Sequence, residues 1–268
     1  MTAGEFHKMH GLGNDFVIID CRTNSVPMTN SRARAIADRK TGIGCDQMIL
    51  LENSNCADVR MRIFNADGSE VESCGNATRC VIALMGRDCR IETAGGIISG
   101  KLDGNLIAVD MGMPRFDWQH IPLAFAMDSA AMPLAWEELE TPMAVNVGNP
   151  HIIFFVPDAD MIDLAKLGPL IEVDPVFPQK VNVNIASVHD GRIKLHVWER
   201  GAGLTRACGT GACATGVAAI RKGLTKSPVD VTLPGGTINI AWQEGGSIIM
   251  KGPAAHVLTA PPIGMIFK

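Results

Sequence analysis

Apolar and polar positions along this chain fall into short runs separated by turn-forming residues. Phe16–Asp20, Met48–Leu51 and Val59–Asn65 are apolar runs of strand length and predict strands. Between the first two, Ser31–Arg39 carries a helical pattern, with Asn30 or Ser31 as its cap. The third strand delivers Asn65 into a loop, Ala66-Asp67-Gly68-Ser69, where Asp67 and Gly68 read as turn formers. The apolar run Val81–Met85 behind Cys74 then predicts a helix, followed by a glycine-punctuated antiparallel stretch to about Met113. Pro114 to Pro142 reads as a crossover with a helix at Leu134–Leu139 inside it. The order then returns: a strand at Ile152–Val156, a helix near Ala159–Leu167, strands at Asn184–Val188 and Lys194–Trp198, a helix headed by Cys208, and a terminal sheet. Pro262–Phe267 lies outside this order and is expected as a strand returning onto the first half.

The repetition runs in one order. Gly13-Asn14-Asp15-Phe16 has its counterpart 135 residues later in Gly148-Asn149-Pro150-His151, and Gln47 falls on Asn182 at the same offset. Cys74-Gly75-Asn76-Ala77 answers to Cys208-Gly209-Thr210-Gly211, and nine residues before each cysteine stands a polar residue, Asn65 or Glu199. Gly95-Gly96 and Gly235-Gly236 follow the two helices. Matches in one order and at nearly constant spacing indicate an internal duplication. The expected fold is α/β (α+β), with one half at 1–117, joined by 258–268, and the other at 118–257.

Composition narrows the class. At 268 residues, 47% hydrophobic and 19% charged, the chain is globular and long enough for two cores. A net charge of −4, with no basic run, gives no footprint for nucleic acid. No apolar stretch reaches the roughly 18 to 20 residues that span a bilayer, and Met1–Phe6 lacks the organisation of a secretory signal. Eight cysteines without a regular framework read as free thiols of a cytoplasmic protein.

Cys74 and Cys208 differ from the other six because each heads a helix. The open N–H groups and the dipole there favour a thiolate or a bound anion. Cys21, Cys45, Cys56, Cys80, Cys89 and Cys213 read as small buried hydrophobes. Asn76 and Thr210, one residue further in, read either as helix starters or as ligands. The chain has no tyrosine, which excludes a phenolic acid or base.

The segments His10–Phe16, Asn65–Glu70, Cys74-Gly75-Asn76, Gly148–His151 and Glu199–Gly203, with Ala207–Gly211, resemble diaminopimelate epimerase, in family order and over the full length. The resemblance implies two pseudo-symmetric domains, each a barrel-like, mostly antiparallel sheet around a central helix, with the active site in the cleft between them. It implies interconversion of LL- and meso-diaminopimelate without cofactor or metal, in bacterial lysine and peptidoglycan precursor synthesis, by a cytoplasmic homodimer. Cys74 and Cys208 then exchange the roles of base and acid, one on each face of the α-carbon, because one base cannot easily serve both faces. His151 and Glu199 resemble the residues that back the thiols. Asn14, Gln47, Asn65, Asn149, Asn182, Glu199 and Arg200 match positions lining the substrate pocket. Gly75, Asn76, Gly209 and Thr210 offer backbone N–H groups to the α-carboxylate.

The chain departs from the family pattern at Leu204, often Glu, at Ala77-Thr78-Arg79, more usually opened by Gly, and at Asn184, often a small residue. These bear on loop conformation and turnover. Two other readings compete. A proline or hydroxyproline racemase shares the two-cysteine plan but typically places His where Asn76 stands, and a phenazine-type isomerase lacks the paired thiols. A non-enzymatic thiol switch joining Cys74 to Cys208 leaves Asn14, Asn149 and Arg200 without a purpose.

Overall fold

The computed structural model describes residues 5–24, 26–72 and 74–261. The chain divides into two compact units, one formed by residues up to Val109 and from Gly252 onward, the other by Asp110–Lys251. The expected boundaries at 117/118 and 257/258 fall several residues beyond these divisions. The expected strand at Pro262–Phe267 lies outside the described residues.

In the first unit β1 (Phe6–Gly11) pairs antiparallel with β2 (Asn14–Asp20), and β2 runs parallel to β3 (Gln47–Glu52). β3 is antiparallel to β4 (Val59–Asn65), which pairs antiparallel with the short β5 (Glu70–Val71) and parallel with β6 (Cys89–Thr93). β7 (Gly96–Asp103) and β8 (Leu106–Asp110) continue the antiparallel run. Helix α1 (Asn30–Ala37) is capped by Thr29, whose side chain accepts the Arg32 N–H at 3.2 Å, one residue before the expected cap. Helix α2 (Gly75–Met85) starts from Cys74 and stops at Gly86, whose left-handed backbone (φ 66°) ends it.

The buried run of β2 reflects a strand covered on both faces. Val17, Ile19, Met48, Leu50 and Phe64 form a core with Ala33, Ile36 and Ala37 of α1. The alternate residues, Phe16, Ile18 and Ile49, point to the opposite face. Helix α2 packs against β1, β2, β6 and β7.

In the second unit the crossover forms a small hairpin of β9 (Ala135–Trp136) and β10 (Leu139–Glu140), where a helix was expected. Glu137 at the turn has φ 51°, and Trp136 packs against Phe154 and Phe177, so tertiary contact overrides the helix-forming composition. β11 (Met143–Asn146) is antiparallel to β12 (Pro150–Phe155), which runs parallel to β13 (Asn182–His189). β13 is antiparallel to β14 (Arg192–Glu199), which pairs with β15 (Gly203–Thr205) and runs parallel to β16 (Val229–Leu233). β17 (Gly236–Ala241) and β18 (Ile249–Gly252) complete the run. The helix expected near Ala159–Leu167 is a 3-10 turn, Ala159–Met161, followed by α3 (Leu164–Glu172). Helix α4 (Gly209–Arg221) starts from Cys208.

Strand senses repeat between the units: β2∥β3, antiparallel β4, then β4∥β6 match β12∥β13, antiparallel β14, then β14∥β16. The pair Phe16–Gln47 in β2–β3 corresponds to His151–Asn182 in β12–β13. One face of the second sheet, with Ile152, Phe154, Val183 and Ile185, makes a core with Leu164, Leu167 and Ile171 of α3. The opposite face carries His151 and Asn184, and α4 packs against β11 to β14. The last strand, β19 (Ala255–Ala260), returns to the first unit and pairs antiparallel with β1. Among the described residues no helix is long and apolar enough to cross a membrane.

Candidate active site

In the first unit Cys74 takes the N-cap position of α2 in extended backbone, φ −151° and ψ 113°. Its carbonyl accepts from the Thr78 N–H at 2.9 Å and from Thr78 Oγ1 at 3.0 Å, which locks the first turn. The half-buried thiol faces Asn14 Oδ1, with Sγ at 3.9 Å. Asn14 opens β2, and its amide is gripped from both ends: Nδ2 donates to Asp46 Oδ2 at 3.0 Å, and Oδ1 accepts from Asn76 Nδ2 at 3.1 Å. Asn76 Oδ1 accepts in turn from Arg79 Nη2 at 2.9 Å. Because arginine only donates, the relay has one polarity, and it presents a carbonyl oxygen to the thiol. Asn76 is therefore a side-chain link as well as a first-turn residue.

Behind Asn14 lies an ion cluster. Arg39 Nη2 reaches Asp15 Oδ1 at 2.6 Å and Asp46 Oδ1 at 2.7 Å, and Lys8 Nζ reaches Asp15 Oδ2 at 2.5 Å. Burial pushes the Asp15 carboxyl up, but hydrogen bonds from Arg39 and Lys8 outweigh it and hold the group well below the usual carboxylate range. Gln47 and Asn65 meet across β3 and β4, where Gln47 Nε2 donates to Asn65 Oδ1 at 2.9 Å. Asn65 Nδ2 continues to Ser69 Oγ at 3.2 Å, while Gln47 Oε1 is buried without a partner. Asp67 and Gly68 shape the loop as expected, Asp67 Oδ1 accepting the Ser69 N–H at 2.8 Å.

In the second unit Cys208 repeats the N-cap geometry, φ −123° and ψ 106°, and here the sulfur itself caps the helix by accepting the Gly211 N–H at 3.3 Å. Thr210 Oγ1 lies 3.5 Å from the sulfur. Burial and then the charge of Glu199 raise this thiol well above its ordinary pKa, so it rests protonated. Glu199 ends β14 and is steadied by Thr205, whose Oγ1 donates to Oε1 at 2.5 Å. A methyl on Gly211 would sit 3.2 Å from Sγ and 2.8 Å from Asn184 Oδ1, so only glycine fits that close approach.

The next residues form two further groups. His151 is fully buried: Nδ1 lies 3.1 Å from Asn184 Nδ2, and Nε2 lies 2.9 Å from Asn149 Oδ1. Asn182 braces the end of β14, accepting the Arg200 N–H at 2.9 Å and donating to the Pro150 carbonyl at 2.8 Å. The Arg200 guanidinium meets the Gln179 carbonyl at 2.9 Å. Below this turn lies Glu172, nearly buried and absent from the sequence reading. It accepts from Trp198 Nε1 at 2.7 Å and from the Gly201 N–H at 3.1 Å, and so anchors the loop carrying Glu199 and Arg200. Leu204 is exposed on β15. Of the six cysteines expected to be buried, Cys56 is exposed, because it sits in a loop turned by Ser54 Oγ bonding its N–H at 3.1 Å. Among the described residues no cluster of three or more His, Cys, Asp and Glu side chains is set to hold a metal ion.

His151 makes stability depend on pH. Burial pulls its pKa down to about 3, against the ordinary 6.5 available to the unfolded chain. The unfolded state therefore takes up a proton first, and stability present above 6.5 drains away as pH falls towards 3. At pH 5 the expected loss from this one group is about 2 kcal/mol. Urea unfolding at pH 7 and pH 5 checks it: the drop is expected to shrink by about that amount in His151→Gln, and an unchanged drop contradicts the assignment.

The diaminopimelate epimerase family matches residues 6–116 and 143–257. The chain is 65% identical over 257 residues to a diaminopimelate epimerase of Rhizorhabdus wittichii, covering 95% of this chain and 94% of that protein. It is 63% identical over 253 residues to one of Erythrobacter litoralis, covering 94% of each. Solved structures share the fold at low identity. A phenazine biosynthesis protein of the PhzF family from Bacillus anthracis gives a TM-score of 0.68 at 18% identity, over 97% of this chain and 99% of that one. A hydroxyproline epimerase from Agrobacterium vitis gives 0.66 at 15%, over 96% of this chain and 91% of that one. With the family matched across both halves and identity this high over nearly the whole length, the chain belongs to the diaminopimelate epimerase family.

Proposed function

We propose that this chain interconverts LL- and meso-diaminopimelate, with Cys74 and Cys208 as the two proton-transfer groups on opposite faces of the α-carbon. The observation that carries the reading is the pair of cysteines in N-cap positions at matched places of a duplicated sequence, in a chain 65% identical to a diaminopimelate epimerase. The first N–H groups of α2 and α4, around Gly75, Asn76, Gly209 and Thr210, stabilise the α-carboxylate as negative charge grows on its neighbour.

The thiol beside Asn14 is the acid when the proton leaves to Cys208, and the roles reverse in the other direction. Glu199 stands beside Cys208 and takes its proton when that thiol must begin as the base. His151, with both ring nitrogens engaged, acts through Asn149 rather than by transferring a proton itself. Gln47, Asn65, Asn149 and Arg200 read the distal amino and carboxylate groups, and Asn182 holds the Arg200 turn in place. The working protein is a homodimer in this reading.

The test is incubation of the reduced protein with LL-diaminopimelate in D₂O. Formation of the meso isomer carrying deuterium at the inverted carbon is the expected result. Neither inversion nor exchange by fully reduced protein would remove the substrate assignment.

A further inference from the structure

We infer that Asn184 is a positioning residue that sets which ring nitrogen of His151 carries the proton and, through it, which end of the Asn149 amide is left for the substrate. Asn184 lies on β13, buried on the face that carries His151. Its Nδ2 makes three contacts, 2.9 Å to the Ile152 carbonyl, 3.1 Å to His151 Nδ1 and a longer one of 3.4 Å to the Asn182 carbonyl. A carbonyl can only accept, so the amide nitrogen must be the atom facing it, and a flipped amide would set two oxygens against each other. The same nitrogen then donates to His151 Nδ1, which must hold a lone pair.

A neutral imidazole with a lone pair on Nδ1 carries its proton on Nε2. That N–H donates to Asn149 Oδ1 at 2.9 Å. The Asn149 carbonyl oxygen is thereby committed, and its NH₂ group is the end left to donate outward. Three side chains thus pass a single polarity from the backbone of β12 to the residue after Gly148.

Asn184 Oδ1 marks what this arrangement costs. It is buried without a hydrogen-bond partner, and it faces Gly211 in the first turn of α4. An amide with one end unsatisfied inside a core is unfavourable, so a side chain chosen only for packing would be apolar here. Its presence fits a residue that is needed for the donor it supplies.

Asn184→Asp reverses the polarity at the same size. A carboxylate only accepts, so it calls for a proton on His151 Nδ1, and Nε2 of a neutral ring then accepts from the NH₂ of a turned Asn149. The direct test is long-range ¹H–¹⁵N correlation on histidine-labelled protein, with the His151 signals assigned by their loss in His151→Gln. The parent is expected to show the neutral form protonated at Nε2 across pH 6 to 8. Asn184→Asp is expected to show protonation at Nδ1, and Asn184→Ala to lose the single-tautomer pattern.

A parent protonated at Nδ1, or an Asn184→Asp variant still neutral and protonated only at Nε2, overturns the inference. The parent spectrum alone decides it if the variants do not fold. A second arm rests on the proposed function: in Asn184→Asp, KM for LL-diaminopimelate is expected to rise about tenfold or more, with a smaller change in kcat, since substrate positioning is what is lost. An inactive parent defeats the functional reading and leaves the spectroscopic result standing, whereas a normal KM in a variant with the shifted tautomer breaks the link to Asn149.

Discussion

Cys74→Ala and Cys208→Ala are each expected to lower kcat for inversion by about 10²- to 10⁴-fold, the range that a positioned acid or base contributes. Both thiols are needed for one inversion, so the losses are not additive, and the double variant is expected to fall little further than either single one. The two sites do not start alike. Cys74 looks onto an amide oxygen held by Asn76 and Asp46, while Cys208 accepts a backbone N–H beside Glu199. Glu199→Gln is therefore expected to lower kcat more from the isomer that meets Cys208 as base, while kcat/KM falls equally in both directions because the equilibrium constant is fixed. The check is initial rates from both isomers with parent and variants under reductant. Inversion at the parental rate by either single cysteine variant would end the two-thiol scheme.

Arg79→Met is expected to destabilise the protein by about 3 kcal/mol, because it leaves at least two acceptors dry at about 1–3 kcal/mol each. Those acceptors include Asn76 Oδ1 at 2.9 Å and the Pro253 carbonyl at 3.2 Å. The guanidinium is fully buried, and Gly11 closes over it: a methyl there would lie 3.0 Å from Nη2. Arg79→Lys is expected to recover little, since a single ammonium cannot reproduce the fork that serves both acceptors. Urea unfolding at pH 7 checks both. Because Asn76 also orients Asn14, the variants should additionally alter alkylation of Cys74. An Arg79→Met variant as stable as its parent would mean that the buried charge is a burden removed rather than a brace lost.

Which parts of this were legible in the sequence follows from how local each signal is. The helix heads at Cys74 and Cys208 and the main strands came through because apolar runs and motifs repeated at an offset of 134 to 135 residues are patterns of neighbouring positions. The pairings Phe16–Gln47 and His151–Asn182 show that this offset is kept in three dimensions. The cap of α1 was misplaced by one residue because Thr29, Asn30 and Ser31 are all good caps, and only the accepted Arg32 N–H separates them. Leu134–Leu139 reads as a helix from composition, but Trp136 is drawn into a cluster with Phe154 and Phe177 and donates to Asp174 at 3.0 Å.

Among the site residues the misses share a cause. Arg79 and Glu172 are charged side chains on helices, where a charge ordinarily marks the wet face, and their burial depends on distant partners at Pro253 and Trp198. Asn184 stood out only as a departure from a pattern, since its contacts with His151 and Ile152 cross between strands. The loop around Cys56 was too short and too polar to bury its thiol.

The pairing of β19 with β1 has a consequence for how the protein is made. Phe6 sits opposite Ala260, so β1 leaves the ribosome long before β19, the strand that covers its edge. The second unit, Asp110–Lys251, is one continuous stretch and is able to assemble while that edge is still bare. During synthesis β1 is thus an open strand edge available to other nascent chains, and chaperone occupancy is expected to concentrate there until the Arg79–Pro253 contact closes behind it.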